Sequence, residues 1–565
     1  MSRVISGLVA ILLWSFTVSA QLPQGLQTAP GLPFPQAPPR DATKTGTAVI
    51  RGHVYDASSG RPLRKAQVRV FAPELRENRL AATDANGAYE IKELVAGRYQ
   101  LSASKGSFVQ LQYGQLRPFE PGKPLEIANG QTVEKVDFSL PRGGIITGRI
   151  LDEFGEPTSD VQVMAMRYQY VQGRRQLSPS GRVGTTNDIG EYRLFALPPG
   201  QYFISATYRG GLSFDASSDD RSGYAPTYYP NGASIADAQR VTIGVGQTLG
   251  DINFALSPTR LARVTGTAVD SDGKPLVNAI VMMIQISGAM MMTSAGAQSR
   301  PDGSFSVANV APGEYAIQAM VNTGGLFGPG AERAQAKITV AGEDIVGLRL
   351  TGVKSSTVTG RLVLPQTDAS MSLSALQLVA APSTPEPLSG SGMARINDDA
   401  TFEMKTQPGN YLIRMNPQGN FANVRIKAVR LNGVDVTDTG LDVRPNEDLN
   451  GLEVELTTQF SDLSGFVSNS RGENVKDYSL VVFARDRQRW GAASRYLSGG
   501  RPDQDGKYRV RNLPAGDYYA IALDYVEQGA GTDPEFLDRI KDRATEFSIN
   551  DGETKTLSLK LVTGT

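Results

Sequence analysis

One histidine and no cysteine bound the chemistry open to this chain. His53 lies in VIRGHVYD between Gly52 and Val54. Strand alternation groups it with Arg51 and Tyr55 on an outward face. A single imidazole allows at most one Ser-His-Asp arrangement and no histidine-rich zinc site, and the lack of thiols removes Cys nucleophiles. No nucleophile elbow, P-loop or Gly-x-Gly-x-x-Gly follows a strand-like run. Carboxylates are plentiful, but no spacing singles out a glycosidase pair. These residues predict a noncatalytic protein without a cofactor.

Oxygen and sulfur ligands give two weaker metal patterns. Asp84-x-Asn86-Gly87, Asp270-x-Asp272-Gly273 and Asp503-x-Asp505-Gly506 begin like calcium loops. None continues to the bidentate Glu of a complete loop, and Asp/Asn-Gly is the usual composition of tight turns. Met282, Met283, Met290, Met291 and Met292 are soft donors, but a strand and its turn filled with Met is the simpler reading. No metal site is expected.

Aromatic side chains offer a better binding pattern. One connection, SKGSFVQLQYGQLRPFEPGKP, carries Phe108, Tyr113, Arg117 and Phe119. A second, starting YRGGLSFDASSDDRSGY, carries Tyr208, Phe214, Tyr224, Tyr228 and Tyr229 among Asp215, Asp219, Asp220 and Arg221. Rings without a strand period, mixed with planar polar groups, suit sugars. The alternative is that each loop folds back and its rings cover its own core. After leader removal the one Trp is Trp490, beside Arg487, Arg489 and Arg495. One indole is few for a strong polysaccharide binder. The candidate ligand-binding residues are Tyr224, Tyr228, Tyr229, Tyr113, Phe119 and Trp490.

The elements that carry these residues recur along the chain. TDANGAYEIKELVAGRYQL at 83–101 has four further versions. Tyr89, Tyr192, Phe305 and Tyr508 are each followed ten residues later by Tyr99, Tyr202, Tyr315 and Tyr518, within Leu/Val-x-x-Gly-x-Tyr. The fourth copy is degenerate, Phe402 and then Tyr411. Asp/Asn-Gly supplies the positive φ of a hairpin. Period-two alternation marks strands, and Leu-x-x-Gly-x-Tyr has the form of a tyrosine corner in a Greek-key sandwich. Opening strands (VIRGHVYD, IITGRILD, RVTGTAVD, TVTGRLVL, DLSGFVSN) and closing strands (VEKVDFSL, LGDINFAL, IVGLRL, LNGLEVEL, TLSLKL) frame the units. The expected sandwiches are 46–140, 143–256, 262–350, 356–456 (the degenerate repeat) and 462–561. Joints as short as Pro141-Arg142 predict a semi-rigid rod on the order of 150 Å. In DPEFLDRIKDRATEF, Asp533-Pro534 and the i,i+4 pair Phe536/Ile540 predict a short helix packed on the last sheet.

Gly-x-Val-x-Asp, then Thr-Asp-x-x-Gly-x-Tyr, then Leu-x-x-Gly-x-Tyr resembles the carboxypeptidase regulatory-like domain. The resemblance covers nearly everything after residue 45. It implies an all-β fold, a tandem array of five Greek-key prealbumin-like sandwiches related to transthyretin and starch-binding-like domains. It also implies noncatalytic modules of exported bacterial proteins that bind carbohydrate or mediate surface contacts. The metallocarboxypeptidase domain that can accompany such modules, and its zinc ligands, are missing.

Composition agrees with export. Arg3, the apolar run VISGLVAILLWSFTV and Val18-Ser19-Ala20 form a signal peptide, residues 1–20. The run is short for a span of ~20 residues. Residues 21–45 form a Pro-rich linker. Lys+Arg and Asp+Glu are both 57, so no basic stripe points to nucleic acid or anionic lipid. The expectation is an exported protein, periplasmic or extracellular, with no membrane span after cleavage. Its leading partner is a polysaccharide, cell-surface glycan or other envelope polymer. The alternative is a structural or adhesive spacer with an envelope protein partner.

Overall fold

In the computed structural model, every copy of the signature sets an aromatic ring directly across from a glycine. The structure describes residues 46–564 apart from 73–74, 76–77, 172, 209–220, 287–292, 322–331, 365–372, 374–375, 385–389, 418–423 and 492. The expected signal peptide and linker, and Met290 to Met292, lie outside the described residues.

The first repeat shows how the pattern folds. Its strands are β1 (Ala48–Asp56), β2 (Gln67–Phe71), β3 (Arg79–Ala82), β4 (Ala88–Leu94), β5 (Gly97–Ser104), β6 (Leu111–Gln112), β7 (Leu125–Ile127), β8 (Thr132–Val133) and β9 (Phe138–Leu140). One sheet runs β4-β1-β8 with β9 also on β1; the other runs β3-β2-β5-β6 with β7 also on β5. Neighbours in sequence are therefore often partners across the sandwich, as a Greek key requires. β1 meets β4 antiparallel and the closing strand β9 parallel. The burial pattern of β1, BiBeBiBiB, is a period-two strand with one face in the core.

Gly52 on β1 stands opposite Tyr89 on β4. The same register pairs Gly148 with Tyr192, Gly266 with Phe305, Gly360 with Phe402, and Gly465 with Tyr508. A Cβ on any of these glycines would lie 1.9–2.1 Å from a backbone carbonyl oxygen in or just before the closing strand, that of Val136, Ile252, Leu348, Leu452 or Leu557. The opening strand thus needs glycine so that the closing strand can pass over it. Three of the facing tyrosines donate to those carbonyls: Tyr89 to Val136 (2.6 Å), Tyr192 to Ile252 (2.7 Å) and Tyr508 to Leu557.

The second tyrosine of each copy is a corner. Tyr99, Tyr202, Tyr315 and Tyr518 donate to the carbonyls of Val95, Pro198, Ala311 and Pro514, each four residues upstream, at 2.5–2.8 Å. Their rings are fully buried. In the degenerate copy, Tyr411 is buried too.

Buried apolar side chains gather in separate cores drawn from 48–140, 146–256, 262–350, 358–456 and 463–559. A further cluster lies on the outer face of the last sheet. There, helix α1 (Pro534–Ile540) starts at the N-cap Asp533 and buries Phe536, Leu537 and Ile540. It is the one α-helix among the described residues, and no helix there is long and apolar enough to cross a membrane.

The rod expectation is corrected by contacts between distant repeats. Arg98 donates to the carbonyl of Arg509, 411 residues away (3.2 Å). Glu126 and Gln504 exchange backbone–amide hydrogen bonds, both 3.2 Å. The fifth repeat therefore packs back on the first. Short joints restrict flexing but leave the turn at each joint to the loops.

Candidate functional site

His53 is on the outward face, as its alternation predicts. Its ring stacks on Tyr55 at 5.7 Å, and its Nδ1 lies 3.6 Å from Asp137 Oδ1. No Ser-His-Asp geometry is built around it among the described residues. The turn carboxylates are occupied by their own backbones. Asp84 Oδ1 accepts from the amides of Asn86 and Ala88, both 2.8 Å; Asp270 and Asp503 do the same for the residues two and four ahead. Among the described residues no group of three or more His, Cys, Asp or Glu is placed to hold a metal. Met283 is buried in the strand Ile280–Gln285.

The first aromatic loop becomes a joint. Tyr113 is half-buried against the first core, edge-on to Phe138 at 6.2 Å; burial, with Asp137 nearby, pushes its hydroxyl up from the ordinary phenol range. Phe108 is buried in the same core, with the Arg142 guanidinium 5.2 Å from its ring centre. The Phe119 ring lies under the guanidinium of Arg167 at 3.3 Å, and its carbonyl accepts from the Gln528 amide at 2.8 Å. Arg167 in turn pairs with Glu527. Phe119 is thus held between the first, second and fifth repeats. Arg117 donates to the Asp524 carbonyl (3.1 Å), and Tyr525 donates to that of Pro118 (3.1 Å).

Below this loop lies a charge cluster that no sequence period announced. Arg501 is fully buried and bridges Glu120 of the first repeat and Asp477 of its own. Glu120 is 2% exposed, and Lys123 pairs with Asp477 at 3.2 Å. Glu120 also accepts from the amides of Leu116 and Arg117 (3.3 and 3.2 Å), which orders the loop. A buried guanidinium needs such partners on both sides.

The second aromatic loop is also drawn into packing where it is described; Phe214, Asp215, Asp219 and Asp220 lie outside the described residues. Tyr224 donates to Glu153 Oε2 at 2.6 Å and meets Tyr208 edge-on at 5.5 Å. Burial first, then that carboxylate, raises its phenol pKa. Tyr224 lies on Ser222–Ala225, which pairs antiparallel with Ser257–Arg260 at the junction with the third repeat. Arg221 there pairs with Asp344 of the third repeat at 2.6 Å. Tyr228 sits on a short strand against Ser205, half-buried, and burial raises its pKa. Tyr229 packs on the second core, edge-on to Phe254 at 5.9 Å. Trp490 is 3% exposed; its Nε1 donates to the Ala484 carbonyl at 2.7 Å and its ring meets Phe483 edge-on at 5.4 Å. The structure does not bring the six candidates together. Tyr113 lies at the first core, Phe119 at the first–fifth contact, Tyr224, Tyr228 and Tyr229 on the second repeat, and Trp490 in the cluster with α1. Tyr208, which was not among the six, is 39% exposed.

Residues 49–141 match the family model of the carboxypeptidase regulatory-like domain. No curated protein matches the chain. Among solved structures it is similar to a Streptococcal ancillary pilin, at 12% identity over 54% of this chain and 98% of that one, TM-score 0.20. It is also similar to the Bacillus anthracis TIE protein, at 11% over 74% of each, TM-score 0.14. A third is the minor pilin of Streptococcus agalactiae, at 13% over 37% and 96%, TM-score 0.19. The chain is a tandem β-sandwich protein whose first repeat is similar to the carboxypeptidase regulatory-like domain.

Proposed function

We propose that the chain is an exported, noncatalytic scaffold of five sandwiches, 46–140, 143–256, 262–350, 356–456 and 462–561, acting as a structural or adhesive spacer with a protein partner at the cell envelope. The observation that supports this reading is where the variable loops go. The connections ahead of the closing strands are the usual place for ligand contacts. Here Arg117, Phe119, Glu120 and Arg221 spend theirs on other repeats. Trp490 and Tyr229 are packed on cores. A scaffold needs fixed joints more than open ring faces.

A carbohydrate partner is the second reading, and the Tyr208–Tyr224 pair is the observation that favours it. One experiment separates the two. Residues 21–565 are incubated with envelope fragments of the source bacterium, either protease-treated or periodate-oxidised, and with a panel of polysaccharides. The scaffold reading expects retention that protease abolishes and periodate spares, with nothing held by the panel. Retention lost to periodate, or panel binding lost in Tyr208→Ala/Tyr224→Ala with the melting temperature unchanged, would establish the carbohydrate reading instead.

A further inference from the structure

Between the fourth and fifth repeats lies a cleft of about 480 Å³. Its walls come from Gly409–Pro417 and Arg425–Leu431 of the fourth repeat, the connection 457–461, and the loops holding Arg495 and Leu513 in the fifth. Four cationic side chains line it, Arg414, Arg425, Lys427 and Arg495, against one carboxylate, Asp551.

Two of those cations are already matched. Arg495 forms a two-pronged pair with Asp438 (2.8 and 3.0 Å), whose Oδ2 also accepts from the Tyr496 hydroxyl at 3.0 Å. Lys427 pairs with Glu455 at 2.9 Å, and Glu455 is shared with Arg430 at 2.7 Å. Arg414 and Arg425 differ. Among the described residues neither is ion-paired. Arg414 donates to the Ala493 carbonyl, and Arg425 to the Val424 carbonyl at 2.7 Å. Both are half-buried, and burial lowers both guanidinium pKa values from the ordinary one. Two partly desolvated guanidinium forks with only neutral acceptors leave donors suited to planar carboxylates.

The remaining walls identify what carries those carboxylates. A sugar would want an open aromatic face. The two rings here are covered: Arg425 lies over Phe460 at 5.9 Å, and Arg489 and Arg495 lie over Tyr496 at 4.3 and 5.4 Å. The apolar side chains still partly open here are Met415 and Ile426, both half-buried, whereas Ile413 and Leu513 beside them are buried in the fourth and fifth cores. Carboxylates spaced among aliphatic side chains describe an acidic peptide.

We infer that this cleft binds an acidic, aliphatic-rich segment of a protein partner, with Arg414 and Arg425 taking its carboxylates. The inference rests on the protein-partner reading above and names the place where that partner is held.

The test is fluorescence anisotropy on residues 21–565 with a labelled decapeptide of alternating Glu and Leu. A Gln/Leu decapeptide is the neutral control, and inorganic sulfate and trigalacturonate are competitors. The Glu/Leu peptide is expected to bind, more weakly as salt rises, and the Gln/Leu peptide is not. Arg414→Gln/Arg425→Gln should weaken binding at least about tenfold. Asp551→Asn, which removes the opposing charge, should tighten it, and so reads the same site without depending on the arginine variants folding. No binding of the Glu/Leu peptide, equal binding of the Gln/Leu peptide, indifference to the double variant in a chain of unchanged melting temperature, or competition by sulfate or trigalacturonate at the peptide's own concentration would each overturn the inference. Envelope retention that is protease-sensitive yet survives the double variant would remove this site and leave the protein-partner reading standing.

Discussion

Asp56 carries a charge that works in two directions. Its Oδ1 accepts from the Ser58 hydroxyl and amide (2.6 and 2.9 Å), and its Oδ2 receives Arg142 from the joint after β9 at 3.0 Å. Those bonds, the Ser58 hydroxyl foremost, hold its carboxyl well below the usual 3.8, at about 2. A pKa depressed by folding contributes stability that is complete above the unfolded value and lost as pH falls toward the folded one. Asp56→Asn should therefore lower the urea midpoint of the first repeat at neutral pH. The gap from wild type should narrow between about pH 4 and pH 2 and close below that. A gap that stayed constant with pH would mean the charge is not responsible. Such a pair is hard to read from sequence, because Asp56 and Arg142 are 86 residues apart and share no period. The corner tyrosines are the opposite case. Tyr99, Tyr202, Tyr315 and Tyr518 each bond to a carbonyl four residues upstream, so the whole interaction is written within Leu/Val-x-x-Gly-x-Tyr. For Tyr229 the sequence leaves burial as one of two readings, and for Trp490 it carries no sign of burial, since the rings they meet lie on other elements.

The sandwich itself depends on the passage of a closing strand over an opening one. At Gly148 a methyl group would stand 2.0 Å from the Ile252 carbonyl oxygen, and backbone cannot move aside as a side chain can. Gly148→Ala should destabilise the second repeat by about 3 kcal/mol, the upper part of the overpacking range. Gly491→Ala, where nothing lies within 4 Å, should change stability by less than about 0.5 kcal/mol. Domain-resolved hydrogen exchange of both variants checks the difference; equal effects would refute the strand-passage account. The sequence placed these glycines in strands by alternation, and the ten-residue spacing placed the tyrosines. What it did not display was their register, which pairs the glycine of one strand with the aromatic of another. Helix α1 was readable because its signals are local: Asp533 caps it, Pro534 starts it, and Phe536 and Ile540 share a face.

Across the whole molecule, Arg501 joins the ends of the array. Arg501→Met leaves Glu120 buried without its cation, a loss of about 3–5 kcal/mol at the first–fifth contact. The expected readout is a larger radius of gyration by small-angle X-ray scattering, with the cores still folded. Adding Glu120→Leu should restore much of the compact form, because an apolar pair can replace a buried ionic one. An unchanged radius in Arg501→Met would show that other contacts suffice. This closure was invisible to repeat-by-repeat reading, since the charges that make it belong to single copies and have no counterpart in the others. It also gives the chain a mechanical character. A pull applied across the first and fifth repeats loads Arg501–Glu120 and the Arg98–Arg509, Glu126–Gln504, Arg117–Asp524 and Tyr525–Pro118 bonds, together with the Arg167–Glu527 pair that ties in the second repeat. When those yield, the intervening repeats straighten and lengthen the tether while every hydrophobic core stays intact. Single-molecule stretching should then show a first lengthening at low force that reverses on relaxation, before any core opens; a first event that costs a whole core would refute this.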